Sequence, residues 1–446
     1  MGEGHSPKLS RDYFRLFAAS TISNLGDGIA IIAYPWLASA VTRSGLLIAL
    51  VVVVQRLPWL LFSLPAGVIT DRVDRRRLMV GANVARAILG GIVAVAVWVR
   101  SDGLPSPGEI DLGAVQGTDW ALYLLLLAAT LLLGTAEVLY DNTAQTIMPS
   151  IVHADLLEKA NGRLWSTEQV LNTLIGPVLG AALLAISFSV PFGVDALTFA
   201  VSAALVASMR IRSRPNADVE PARWQDDLAD GVRWLWNHDF LRHLAIILGL
   251  INMLSIMSTA TLVLYGQEVL GTSPAEFALM STGGAAGGVL GGWFAADITE
   301  RIGHGVSLWM TIVVGGVTMV VSGLTSSWFV VWAMFAVMMF VATLWNVITV
   351  SLRQTIIPDE LLGRVNSCYR FFGWGMMPIG SLLGGVVIAV TEAFGDRELA
   401  LRVPWISAGI VHVALIAYAG PRLTSRRIAE ARASTGAAVS RAPTGG

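Results

Sequence analysis

Asp27 and Arg56 are charged residues set deep in apolar sequence. Asp27 lies twelve residues beyond Arg15, about 18 Å along a helix rising ~1.5 Å per residue. Arg56 lies thirteen residues beyond Arg43, about 20 Å down the next segment on the same arithmetic. The two segments run antiparallel, so both residues fall near mid-depth. An unpaired charge inside an apolar layer is costly or neutralises itself, and an Asp27–Arg56 pair would let each offset the other's desolvation. Such a pair is either a permanent buried salt bridge or a device in which Asp27 takes a proton when Arg56 is drawn away. Burial favours the neutral acid and a nearby cation favours the carboxylate; switching between the two is what a proton-coupling carboxylate needs.

Glu137 and Asp141 stand four residues apart and share one helix face. They either neutralise Arg72 or Arg86 or offer a second protonation site. Asp195 reads as a local cap or hydrogen-bonding residue. Asn24, Tyr34, Asn252, Trp345 and Asn346 are candidates for lining a solute cavity. There Trp345 could stack on a flat or cationic molecule, with ordinary packing as the competing role for each. No metal site is expected: the six histidines are scattered, and the single Cys368 excludes a disulfide framework or a cysteine metal cluster. No cofactor is expected either.

The elements that position these residues are apolar helices. Of 446 residues, 54% are hydrophobic and 14% charged, with mean hydropathy +0.66; soluble proteins carry about 25% charged residues. That balance excludes disorder, and with a net charge of −1 no nucleic-acid partner is expected. Apolar segments recur at 14–40, 45–70, 78–99, 120–147, 164–187, 192–209, 243–266, 275–296, 305–325, 328–352, 366–390 and 403–420. A bilayer core needs about 20 apolar residues per helix, and continuous rather than alternating apolarity selects helices over a barrel. The expectation is an all-α membrane protein with twelve transmembrane helices and the lipid bilayer as its solvent. No removable signal peptide is read at the N-terminus.

Arginine placement orients the spans. The segments assigned inside hold most of the basic residues, including Arg72, Arg75, Arg76, Arg77, Arg210, Arg242, Arg364 and Arg422; those assigned outside hold Arg43, Arg100, Arg397 and Arg402. Both termini are therefore expected in the cytoplasm, which agrees with an even number of spans.

Residues 210–242 form the longest polar interruption. Its stretch Trp224 to Trp236 reads as an amphipathic helix on the inner membrane surface, with Trp224, Leu228 and Leu235 on the apolar side. It separates a six-helix half at 1–209 from another at 243–421, with a cytoplasmic tail at 422–446. The halves repeat: Gln145-Thr-Ile-Met-Pro149 returns as Gln354-Thr-Ile-Ile-Pro358, and Ile175-Gly-Pro177 as Met377-Pro378-Ile-Gly380. Internal duplication of this kind marks secondary transporters, with a solute site at the repeat interface. Pro177, between Gly176 and Gly180, either weakens the helix as a hinge or serves close packing.

The loop after the second span reads Gly67-Val-Ile-Thr-Asp71-Arg72-Val-Asp74-Arg75-Arg76. This resembles the major facilitator superfamily signature Gly-x-x-x-Asp-Arg-x-Gly-Arg-Arg, with Asp74 where the family usually has glycine. Ser23-Asn-Leu-Gly-Asp27, Gly134-Thr-Ala-Glu137 and Leu362-Gly-Arg364-Val-Asn-Ser367 add to the resemblance. They are similar to the branch holding enterobactin exporters and macrolide efflux proteins. The likeness covers about residues 11–422. It implies two pseudo-symmetric six-helix halves and a conformational latch at Gly67, Asp71, Arg72, Arg75 and Arg76. In that latch Asp71 meets the start of the eleventh span, and Arg72 meets Asp141 or Glu137. Positive-inside anchoring is the competing role for the arginines. Gly176-Pro177-x-x-Gly180 resembles part of the span-five motif of antiporters in the superfamily. Span four lacks the Arg-x-x-x-Gly motif of many proton-driven exporters, which shifts the proton-coupling role toward Asp27.

The resulting expectation is a bacterial cytoplasmic-membrane exporter of amphipathic or cationic small molecules, working as a monomer by proton antiport. Asp27, Arg56 and Glu137 are its proton-coupling candidates. A siderophore or lipid exporter, an uncoupled facilitator, and a sensor or scaffold on a transporter fold are the alternatives. An ATP-driven pump is disfavoured because no Gly-x-x-x-x-Gly-Lys-[Ser/Thr] loop is present. A membrane enzyme is disfavoured because no catalytic cluster stands at one depth.

Overall fold

The computed structural model describes residues 9–108, 115, 117–210 and 224–431. Within these, nothing is described for the side chains of 63–68, 70–72, 154, 158, 224–228, 230, 359, 360, 362, 363 and 367. Every regular element among the described residues is helical. The principal helices are α1 (Arg11–Val41), α2 (Gly45–Arg72), α3 (Arg75–Val99), α4 (Trp120–Ile151), α5 (Leu157–Val170), α6 (Gly176–Leu184), α7 (Ser189–Ala207) and α8 (Trp224–Asn237). They continue as α9 (Asp239–Thr259), α10 (Leu262–Glu268), α11 (Pro274–Ile302), α12 (His304–Leu324), α13 (Trp328–Ile356), α14 (Asp359–Phe394) and α15 (Arg397–Ala419).

Short polar side chains start these helices by satisfying the free N–H groups of the first turn. Ser10 accepts from the Tyr13 amide, Ser44 from Leu47, Asp119 from Ala121 and Leu122, and Asp396 from Leu399. Asp74 caps α3 by accepting from the Arg77 amide at 2.8 Å, with φ −58°. The departure from glycine thus has a local use, since no left-handed backbone is required there. By contrast, α11 and α12 are joined through Gly303 alone, at φ +81°, a conformation glycine adopts without steric cost.

Ten helical segments among the described residues are long and apolar enough to cross a membrane. Two expected spans are not among them. The stretch 164–187 is divided into α5 and α6 by a π-helical turn at Leu171–Ile175. Helix α11 has the length, at 29 residues, but its centre is built largely of glycine and alanine and its end carries Asp297, Glu300 and Arg301.

The chain divides into two compact units, one made of residues 1–219 with 266–279, the other of 220–265 with 280–446. Residues 266–279, expected in the C-terminal half, therefore pack with the first unit. Inside the first unit α7 packs on α1 and α3, α4 packs on α2 and α3, and α1 packs on α6. The second unit repeats the scheme: α15 packs on α9 and α12, α13 packs on α12, and α14 packs on α9. The α11–α13 pairing, the counterpart of α2–α4, is a glycine seam. A Cβ on Gly283, Gly287 or Gly291 would fall within 2.6 Å of the carbonyl oxygens of Trp332, Ala336 and Phe340 respectively. Small residues at this spacing let backbones approach closely where no hydrophobic effect drives helices together.

Helix α8 packs on α14. Leu235 is buried in the core of the second unit, and Gly231 abuts the Arg364 carbonyl and the Cys368 thiol. The apolar side expected to lie on the membrane is thus, at Leu235, covered by protein; the side chains of Trp224 and Leu228 lie outside the described residues.

Candidate functional site

Three helices of the first unit place a buried cation against an acid. Arg86 lies on α3, its side chain 3% exposed, and its Nη2 donates to Oδ1 of Asp27 on α1. The guanidinium carbon sits 3.8 Å from the ring centroid of Phe199 on α7, a cation–π contact that adds to its compensation. Both α1 and α3 pack on α7, and the long arginine side chain passes that helix to reach Asp27. The pair expected from depth alone, Asp27 with Arg56, is not the one that forms. Arg56 is exposed on α2, and Glu137 is the carboxylate whose charge acts on it.

The same arginine is the cation for a wider set. The charges of Asp27, Glu137, Asp195 and Asp141 all act on Arg86. Glu137 and Asp141 are half-buried on α4. Asp195 does not cap its helix. It is 3% exposed within α7, and its Oδ1 has no hydrogen-bond partner. Gly26 makes this fit possible: a Cβ there would lie 2.1 Å from Oγ1 of Thr198 and 2.4 Å from Oδ1 of Asp195. Tyr34 meets Phe192 edge to face, ring centroids 5.0 Å apart, and its buried hydroxyl is also without a partner.

Arg86 as the partner of Asp27 was missed by sequence reasoning, although a signal existed. It stands eleven residues into α3 from Arg75, about 17 Å by the same rise per residue, and so matches the depth of Asp27. What the sequence could not show is which helices are neighbours.

The loop between α2 and α3 is described in part. The side chains of Gly67, Asp71 and Arg72 lie outside the described residues; their backbone forms the last turns of α2. Arg75 donates from Nη1 to the Thr146 carbonyl at 3.0 Å, and Arg76 from Nη2 to the Ala207 carbonyl. These carbonyls belong to the last turns of α4 and α7, where cations complement the free acceptors and the helix dipole. The start of α3 is thereby tied to two other helix ends.

The family model described as the Major Facilitator Superfamily matches residues 16–381. The chain belongs to that superfamily. It is accordingly a multi-pass membrane transporter rather than an enzyme. Among its relatives, the multidrug efflux pump Tap of Mycobacterium tuberculosis (strain ATCC 25618 / H37Rv) is 26% identical over 414 residues, covering 90% of this chain and 93% of the relative. Macrolide efflux protein A of Streptococcus pyogenes is 21% identical over 390 residues, covering 86% and 89%. A solved structure of a bacterial homologue of the iron transporter ferroportin, in an inward-facing state, superposes with TM-score 0.68 at 15% identity. It covers 92% of this chain and 98% of that one.

Within this superfamily fold, the Gly176–Pro177–Gly180 stretch is a close-packed crossing directly after a π-helical turn. A Cβ on Gly176 would lie 2.4 Å from the Gly28 Cα, and one on Gly180 would lie 2.7 Å from the Ile29 carbonyl oxygen. Asn24 is half-buried on α1. In the second unit, Asn252 spends its amide on the Gly373 carbonyl at 2.9 Å, which binds α9 to α14. Trp345 is 5% exposed and sits in the hydrophobic core of that unit. The expected stacking role is therefore corrected: a ring enclosed by core side chains has no face free for a solute. Its neighbour Asn346 is exposed.

Proposed function

We propose that the protein is a drug-efflux transporter of the bacterial cytoplasmic membrane, exporting amphipathic or cationic small molecules in exchange for protons. The observation that carries this is the setting of Asp27. It pairs with a buried arginine, yet 29% of its side chain remains exposed, so it can pass between an ion pair and a protonated acid. The efflux activities in the names of the relatives give the direction of transport. Glu137 and Arg56 act on each other beside this pair and form its second proton-coupling element. Gly67, Asp71, Arg72, Arg75, Arg76 and Asp141 serve as a latch at the inner surface, and Gly176, Pro177 and Gly180 flex with the π-helical turn. Asn24, Tyr34, Asn252 and Asn346 remain candidates for contact with the solute. Both termini are cytoplasmic, and the working unit is a monomer. One proton moving down the potential supplies about 2.3 kcal/mol per 100 mV, enough for roughly a fifty-fold solute gradient.

The test is proton movement in liposomes holding a pH-sensitive dye, with cationic dyes and macrolides added to wild type and Asp27→Asn. A compound-dependent proton signal that is lost in the variant supports antiport at Asp27. Solute flux without a proton signal overturns the coupling.

A further inference from the structure

Asp195 is unexplained by an antiport cycle that runs through Asp27 alone. A buried carboxylate that lacks a hydrogen-bond partner for one oxygen is among the costlier states a helix can hold in an apolar layer, and such a group resolves the cost by taking a proton. Asp195 meets that description in geometry. It is 3% exposed, its Oδ1 is unpartnered, and the missing Cβ of Gly26 closes the helix surface over it. The groups facing it can be named for each helix packed on α7. Helix α1 presents Asp27 and Tyr34, α3 presents Arg86, and α6 presents no titratable side chain; Glu137 of α4 acts from farther away. Arg86 is at present committed to Asp27 through Nη2, and its Nε is buried with no partner. The arginine therefore has an unused donor, and Asp195 has an unused acceptor.

We infer that Asp195 is the second proton-holding residue of this network, a neutral acid while Arg86 engages Asp27, and that the guanidinium and one proton trade places between the two carboxylates. In the exchange one proton leaves Asp195 and one is taken up by Asp27. The guanidinium then turns from Asp27 to the newly ionised Asp195. One proton, one cation and two carboxyl groups are present before and after, so no charge is created in the membrane. Asp27, the more exposed of the pair, is the member that meets water. The inference rests on the antiport reading only in assigning this proton to transport.

The test reads the carbonyl stretch of protonated carboxyl groups by infrared difference spectroscopy on purified full-length protein at neutral pH. Wild type is compared with Asp195→Asn and Asp27→Asn. The expected result is loss of one carboxyl's absorption in each variant: in the first because the acid is gone, in the second because Asp195 ionises to serve Arg86. Full absorption retained in Asp195→Asn places the proton elsewhere and overturns the inference. Full absorption retained in Asp27→Asn shows that Asp195 does not take over the arginine, and also overturns it. If Asp195→Asn cannot be extracted folded, the Asp27→Asn spectrum decides alone, because Asp195 is intact in it. Neither spectrum requires solute flux. Absence of proton antiport alongside both losses would sink the coupling reading and leave the role of Asp195 supported.

Discussion

Gly28 of α1 and Gly176 of α6 cross main chain to main chain. A Cβ built on Gly28 would lie 2.9 Å from the Gly176 Cα, and one built on Gly176 would lie 2.4 Å from the Gly28 Cα. The partner atoms are backbone, which cannot rotate away as a side chain can. Overpacking of this kind costs about 1–3 kcal/mol, occasionally more. Gly176→Val is therefore expected to lower the thermal midpoint of the detergent-solubilised protein by several degrees. Gly193→Ala, at a position with open space around it, should leave the midpoint unchanged or raise it slightly through helix propensity. Equal midpoints for wild type and Gly176→Val would mean that the helices part without cost.

If Arg86 turns to Asp195 when Asp27 is lost, as inferred above, removing either carboxylate alone should be mild and removing both severe. Breaking a buried ion pair from one side costs about 3–5 kcal/mol when the remaining charge finds no substitute. Asp27→Asn and Asp195→Asn are each expected to lose much less than this. The double variant should lose more than their sum, by a coupling of about 0.5–3 kcal/mol. Thermal midpoints of the four proteins measure it, and simple additivity would deny that the two acids share the arginine.

The helical class was legible because a bilayer demands long apolar runs; the division of 164–187 by a π-helical turn and of 243–266 into two helices was not. Counting residues also had a use: the count from Arg75 to Arg86 resembles that from Arg15 to Asp27, and the side chains of Arg86 and Asp27 pair. Neighbourhood was not legible. Nothing in the spacing of Asp27 says that α1 lies along α7 rather than α2, and the partner assignment depended on that. Trp345 shows the same limit in another form, since an aromatic in a span reads alike whether it faces a cavity or a core. The four arginines assigned outside have a local arrangement that the sequence did not show. Arg43, Arg100, Arg397 and Arg402 each meet an acid, in Glu268, Asp119, Glu392 and Glu398 respectively.

Asp119 supplies a pH dependence outside the membrane spans. Partial burial alone would raise its carboxyl, but hydrogen bonds from the Leu122 amide, Arg100 and the Ala121 amide outweigh that and hold it below the ordinary value. The unfolded chain, with a carboxyl near pKa ~3.9, then binds more protons than the folded one in the interval between the two values. The stabilisation is complete above the unfolded value and is lost as pH falls through the folded one. Asp119→Asn keeps a competent helix cap and removes the charge. It should lower the thermal midpoint near neutral pH, with the difference from wild type shrinking as pH falls below the unfolded value and the native carboxyl is protonated. A difference that stays constant with pH would show that the charge of Asp119 contributes nothing.

Arg43 holds the segment 266–279 onto the first unit. Its Nη1 donates to Oε1 of Gln267 at 2.6 Å, its Nη2 pairs with Glu268, and Gln267 returns a bond to Oγ of Ser39 at 2.9 Å. Trp36 packs edge to face on Phe277, ring centroids 5.3 Å apart. The ion pair is almost wholly shielded, with side-chain exposures of 10% and 4%, so little solvent screening weakens it. Arg43→Ala removes the ion pair with Glu268 and the bond to Gln267, and the local structure should open more often. Amides of the segment, including that of Thr272 bonded to the Gly266 carbonyl at 2.8 Å, are expected to exchange with deuterium at least tenfold faster, a loss of about 1.4 kcal/mol in opening free energy. Glu268→Gln, which keeps a hydrogen-bonding side chain and removes the charge, should fall between wild type and Arg43→Ala. Unchanged exchange across 266–279 in Arg43→Ala would mean that the Gln267–Ser39 bond and the aromatic contact hold the segment without Arg43.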